Sequence, residues 1–128
     1  MNRTIHKRGL IIEPDAPLAR GMSIALSEVL PRTEVSLSAM EALNLLQTNQ
    51  YDYIFMEIDY PCYDGVKLLT TITERAIETF IIVMTADFEA DALKQFHSEN
   101  ILVMEKPVNI NELKLFIRNR ELKSNSGR

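Results

Sequence analysis

At 128 residues, 46% of them hydrophobic and 25% charged, the chain is long enough to bury one ordinary core, and its composition is that of a globular domain. The net charge of −4 argues against direct nucleic-acid binding, which needs a basic face, and the longest apolar runs are far too short to cross a bilayer. A single cysteine, Cys62, cannot form an internal disulfide, so a reducing, cytoplasmic setting is expected.

The first residues, through Lys7, are basic and polar and read as a tail without an apolar signal core. Leu10 to Ile12 is an apolar run that stops at Glu13, a first strand. Glu13-Pro14-Asp15 breaks it, with Asp15 placed to cap a helix and Pro17 tolerated in its first turn. Leu18, Met22, Ala25, Leu26, Val29 and Leu30 share one helical stripe that Pro31 ends. Thr33 to Leu37 alternates polar and apolar, a half-buried second strand. Ser38 and Glu41 form a capping box for a helix over Ala39 to Thr48, burying Ala42, Leu43 and Leu46.

Tyr53 to Met56 is a third strand, apolar on both faces, that ends at the carboxylate of Glu57. A loop with Asp59, Pro61, Cys62 and the turn pair Asp64-Gly65 leads to a third helix with Val66, Leu69, Ile72 and Ala76 inward. Phe80 to Met84, the most apolar run, is a central strand stopping at Thr85. Asp87 is placed to cap a fourth helix facing Ala90, Leu93 and Phe96 inward. Ile101 to Met104 is a fifth strand, followed by Glu105-Lys106-Pro107. Asn109 and Glu112 repeat the capping pattern before a fifth helix with Ile110, Leu113, Phe116 and Ile117 inward. Lys123 to Arg128 is a polar tail or the stump of a linker, which leaves a domain over residues 8–122.

Strand and helix alternate five times, which predicts a parallel sheet with helices on both faces. Glu13, Glu57, Thr85 and Lys106 then fall on one edge of that sheet, where open α/β sheets carry their chemistry. Any one charged strand end is ordinarily just solvated. Four together suit a hard cation and a phosphoryl group: carboxylates for magnesium, lysine as a point charge on a phosphoryl oxygen, threonine as a hydroxyl donor. Asp59, two past Glu57, is expected to be a solvated loop acid, and Cys62, His6 and His97 have no partners spaced for metal or catalysis.

In Met56-Glu57 with Pro61 and Asp64-Gly65, then Thr85-Ala86, then Lys106-Pro107, the chain resembles the receiver (CheY-like) domain of two-component response regulators, over about Arg8 to Leu122. The resemblance implies a flavodoxin-like, doubly wound (βα)5 fold with sheet order 2-1-3-4-5. It also implies a cis peptide before Pro107, support of a phosphoryl site by Thr85 and Lys106, and a signalling rather than enzymatic role. The implied partners are a histidine kinase, phosphotransfer protein or effector, with no membrane contact. A homodimer through helix four, strand five and helix five is also implied.

The departures are informative. Glu57 stands where the family has its phosphoaccepting aspartate. Glu13 and Pro14 align with a pair of metal-binding acids, so Glu13 and Glu57 form a weak magnesium site. Met104 replaces an aromatic switch residue. One added methylene moves the Glu57 carboxylate about 1.5 Å outward, and phosphoryl transfer depends on positioning. The preferred expectation is an atypical receiver, an interaction module independent of or only weakly dependent on phosphorylation. In it Glu57 pairs with Lys106, accepts from Thr85 and partly imitates a phosphoryl group. The alternative is a working magnesium-dependent phosphoacceptor using Glu57 or Asp59, as the regulatory part of a larger transcription regulator or signalling enzyme. A flavin- or nucleotide-binding module would need a Ser/Thr/Gly-rich loop where Glu13-Pro14-Asp15 stands.

Overall fold

The computed structural model describes residues 7–59, 64–75, 78–87, 91–96 and 98–126, and the side chains of residues 124–126 are left aside. His6, Pro61, Cys62, Ala76, Ala90 and His97 lie outside the described residues. Five strands, β1 (Arg8–Ile12), β2 (Arg32–Ser36), β3 (Tyr53–Glu57), β4 (Phe80–Thr85) and β5 (Ile101–Glu105), form one sheet in the order β2-β1-β3-β4-β5. Every neighbouring pair is parallel. Among the described residues, four α-helices connect or follow them: α1 (Ala16–Leu26), α2 (Ala39–Thr48), α3 (Gly65–Arg75) and α4 (Ile110–Ser126).

The alternation of side chains along a strand divides the core in two. Leu10, Ile12, Ile54, Met56, Ile81 and Val83 face one side and pack with Ala42 of α2 and Leu68, Leu69 and Ile72 of α3. Ile11, Tyr53, Phe55, Phe80, Ile82 and Met84 face the other and pack with Ala19, Met22 and Leu26 of α1 and Leu113 and Ile117 of α4. The central strands β3 and β4 are buried at every position, as a sheet covered on both faces requires. The helices start where the sequence places their caps. Asp15 accepts from the Leu18 N–H at 3.2 Å, Ser38 from Glu41 at 3.1 Å, and Asn109 from Glu112 at 3.0 Å.

Three details depart from the sequence reading. Among the described residues, the connection expected to hold a fourth helix after Asp87 carries a 3-10 turn over Asp91–Leu93 and no α-helix. A helix is stabilised chiefly by a packed apolar face, and among the described residues of this connection Leu93 is buried and Phe96 partly packed. The first helix stops at Leu26, well before Pro31, and Val29 and Leu30 are buried in the connection that follows. Its inner face carries Ala19 in place of Leu18, which is 53% exposed.

Gly65 opens α3 directly over the end of β3. A Cβ there would lie 2.3 Å from the Ile58 carbonyl oxygen and 2.5 Å from Ile58 Cγ1. Backbone so close cannot yield without moving the connection that carries Asp59. The Gly65→Ala substitution is expected to lower unfolding stability by about 1–3 kcal/mol, the range for overpacking, read as a lowered urea midpoint at unchanged slope.

Candidate functional site

Because the sheet is parallel, all its carboxyl ends open on one rim, and backbone bonds beyond the strand ends hold the residues there. Glu13 N–H donates to the Ser36 carbonyl at 3.0 Å, Ile58 N–H to Met84 at 3.2 Å, and Lys106 N–H to Thr85 at 2.8 Å. Each is a continuation of the ladder by one step, so the side chains that follow the strands keep the sheet's register. The Lys106–Pro107 peptide bond is cis.

Glu57, with a side chain only 4% exposed, pairs through Oε1 with the Lys106 ammonium. Its Oε2 accepts the Asp59 N–H at 2.5 Å. Lys106 Nζ also lies 3.5 Å from Asp59 Oδ2. Burial alone would lower the Lys106 pKa, but Glu57 and Asp59 outweigh it and hold the ammonium above its ordinary range.

Thr85 does not donate to Glu57, contrary to expectation. Its hydroxyl donates to Asp59 Oδ1 at 2.8 Å, and the Ala86 N–H donates to Asp59 Oδ2 at 2.6 Å. Thr85 Oγ1 in turn accepts the Asp87 N–H at 3.0 Å. Asp59 is therefore a member of the site and not a solvated loop acid. Its burial would raise its pKa, yet the Ala86 N–H, the Thr85 hydroxyl and Lys106 together bring it below the ordinary carboxylate value. One signal in the chain pointed to this: if β3 stays extended by two more residues, Glu57 and Asp59 project to the same side.

Glu13 is buried, and its Oε2 accepts the Asp15 N–H at 3.0 Å, which ties the end of β1 to the cap of α1. Its pKa is raised, first by burial and then by the charge of Glu57, with the Asp15 N–H and Lys106 opposing. Glu13, Glu57 and Lys106 share a groove with Pro17, Leu18, Met22, Met84 and Pro107. Met104 pairs with Met84 across β4 and β5 and packs partly buried against the α1–α4 core.

A magnesium ion would find a poor donor set here. It needs near-octahedral oxygen ligation, usually including one or two carboxylates. Pro14 offers no side-chain oxygen, and both Glu57 oxygens are engaged by Lys106 and the Asp59 N–H. Among the described residues, no three His, Cys, Asp or Glu side chains cluster so as to hold a metal. The residues present do not fit a magnesium site. Among the same residues, no helix is long and apolar enough to cross a membrane.

Comparison with known proteins places this rim in context. A family model described as the response regulator receiver domain matches residues 10–118. The transcriptional regulatory protein YpdB of Escherichia coli (strain K12) is 35% identical over 68 residues, which is 53% of this chain and 28% of that protein. Protein MrkE of Klebsiella pneumoniae is 35% identical over 68 residues, 53% of this chain and 25% of its own length. The matched stretch thus spans about a quarter of these curated relatives. Among solved structures, the receiver domain of the Francisella response regulator 1452 superposes with a TM-score of 0.73 at 27% identity, covering 93% of this chain and 99% of that one. A CheY-like receiver domain from Methylobacillus flagellatus gives a TM-score of 0.75 at 18% identity, covering 90% and 98%, a likeness of fold alone.

The Glu13 environment has a measurable consequence. A carboxyl whose folded pKa lies above its unfolded value makes the fold bind the extra proton, so stability falls as pH rises from the unfolded value through the folded one. Glu13→Gln keeps an oxygen for the Asp15 N–H and removes the charge. Its melting temperature, measured with EDTA present, should exceed that of the unsubstituted protein at pH 7, and the gain should shrink as pH falls toward 4.5, the ordinary glutamate value.

Proposed function

We infer what this chain does from its membership: it belongs to the response regulator receiver family, and so it is a receiver domain of two-component signalling. Within that family we assign it to the atypical members that work as protein-interaction modules without depending on phosphorylation. It is a binding module, not an enzyme, acting in the cytoplasm over residues 8–122. A phosphoacceptor must present a free carboxylate oxygen to an incoming phosphoryl group, in line with the leaving group. The observation that carries this reading is the state of Glu57. Its carboxylate is buried, one oxygen pairs with Lys106, and the other accepts the Asp59 N–H. Pro14 removes a second acid from the metal position.

The partner surface we assign is the connection over residues 91–96, β5 and α4, where Leu115 and Leu122 are 54% and 59% exposed. The partner is a signalling protein or a second copy of the domain, reached without direct nucleic-acid binding. The similarity to part of a protein named a transcriptional regulator supports a role as the regulatory part of a larger regulator.

Incubation with magnesium and acetyl phosphate, followed by intact-mass measurement, should show no added phosphate on the unsubstituted chain. Glu57→Asp alone should leave labelling near background, because Pro14 still withholds the second acid. Clear modification of Glu57 in the unsubstituted chain would overturn the reading in favour of a working phosphoacceptor.

A further inference from the structure

The inner face of α4 changes character along its length. Its first turns dock by apolar side chains: Leu113 and Ile117 are fully buried, and Phe116 packs partly buried beside them. One turn further on, the positions that meet the sheet are Arg120 and Glu121, and Glu121 is only 7% exposed. Their partners are the first residues of β3 and β4, at the amino edge of the sheet, opposite the rim that carries Glu57 and Thr85. The hydroxyl of the fully buried Tyr53 donates to Glu121 Oε2 at 2.5 Å. Arg120 Nη1 donates to the same hydroxyl oxygen at 3.2 Å, and its guanidinium lies 4.1 Å from the Phe80 ring centre and 5.4 Å from that of Tyr53. Burial, and then the bond to Glu121, push the Tyr53 pKa up, so the phenol keeps its proton across the neutral range.

We propose that this cluster is a latch: the turns of α4 from Arg118 onward open and close on the sheet as a separate segment, held closed by the Tyr53–Glu121 hydrogen bond with Arg120 laid across Phe80. Polar docking makes the closed geometry specific but its stability shallow. A buried carboxylate loses hydration when it forms its bond and recovers it on opening. Leu113, Phe116 and Ile117 have no such compensation, so the first turns of the helix stay with the domain. Closure also sets the outer face of α4. With Glu121 turned inward, Leu122 points outward, about two turns beyond Leu115, and both leucines are exposed. A partner that grips both binds the closed state and draws the equilibrium toward it. In that last respect the inference rests on the assignment of α4 to the partner surface; the latch itself does not.

Native-state hydrogen exchange of the full chain, read amide by amide at several low urea concentrations, tests the latch. In the unsubstituted chain the Arg120 to Lys123 amides should exchange through an opening nearly independent of urea, the mark of a local event. Tyr53→Phe keeps the ring and leaves the buried Glu121 carboxylate without its phenol donor. Exchange at Arg120 to Lys123 should then rise roughly tenfold or more, while the Leu113 to Ile117 amides and those of β3 change only by the factor that the altered global stability sets. Tyr53→Phe combined with Glu121→Leu replaces both polar groups by apolar ones and should return protection to the unsubstituted level or beyond. Should Tyr53→Phe not fold, Glu121→Ala breaks the same bond and is read in the same way. Acceleration shared evenly by α4 and the sheet shows that the helix opens only with the whole domain and overturns the proposal. An unchanged rate at Arg120 to Lys123 in the single variant, or no recovery in the double one, overturns it equally. Acetyl phosphate labelling of Glu57 would remove the phosphorylation-independent reading and leave this comparison standing.

Discussion

A single ammonium group, that of Lys106, lies between two carboxylates, and the rim of the sheet is arranged about it. Glu57 and Asp59 both engage it, and Glu13 faces the same groove. Three acids with one cation leave an excess of negative charge in a partly desolvated place. Backbone N–H groups relieve that excess, one at each acid: Asp15 for Glu13, Asp59 for Glu57, Ala86 for Asp59. A buried ion pair of this kind adds little net stability, because desolvation offsets much of the Coulomb gain. Its effect is geometric. With Lys106 held by two acids from one connection, the β3 and β5 ends are fixed relative to one another.

That geometry depends on the sheet. Side chains more than forty positions apart meet because five parallel strands deliver their carboxyl ends to one edge, and a ladder bond past each strand end keeps the register going. Lys106 is placed by its N–H bond to Thr85, the residue whose hydroxyl holds Asp59. A change that shifts β5 against β4 would therefore move the cation away from the hydroxyl donor, and Asp59 would lose Lys106 while keeping Thr85 and Ala86.

Much of this was readable in the chain. Strand ends at Glu13, Glu57 and Thr85, and the caps at Asp15, Ser38 and Asn109, follow from local chemistry, in which a short polar side chain competes for nearby N–H groups. The sheet order followed from resemblance. The membership of Asp59 did not follow, because a loop acid is solvated by default and its donors come from a strand more than twenty residues away. Only the period of two linking Glu57 and Asp59 hinted at it. The inner face of α1 was misplaced for a steric reason. Hydrophobicity favours Leu18, but beside the sheet the small Ala19 fits at the close approach, and Leu18 is left on the groove. In the connection over residues 87–96, the described residues hold a 3-10 turn with Leu93 buried and Phe96 partly packed, where the pattern of Ala90, Leu93 and Phe96 suggested an α-helix.

Why Asp59 and not Glu57 accepts from the Thr85 hydroxyl and the Ala86 N–H can be argued from occupancy and reach. Both Glu57 oxygens are already engaged, one by the cation and one by the Asp59 N–H, so the Thr85 hydroxyl and the Ala86 N–H fall to the next acid along the chain. Asp59 has the shorter side chain and arrives from a backbone that Glu57 itself has fastened. A tethered group of this sort acts at an effective concentration in the millimolar range or above, set by the connection and not by the solution.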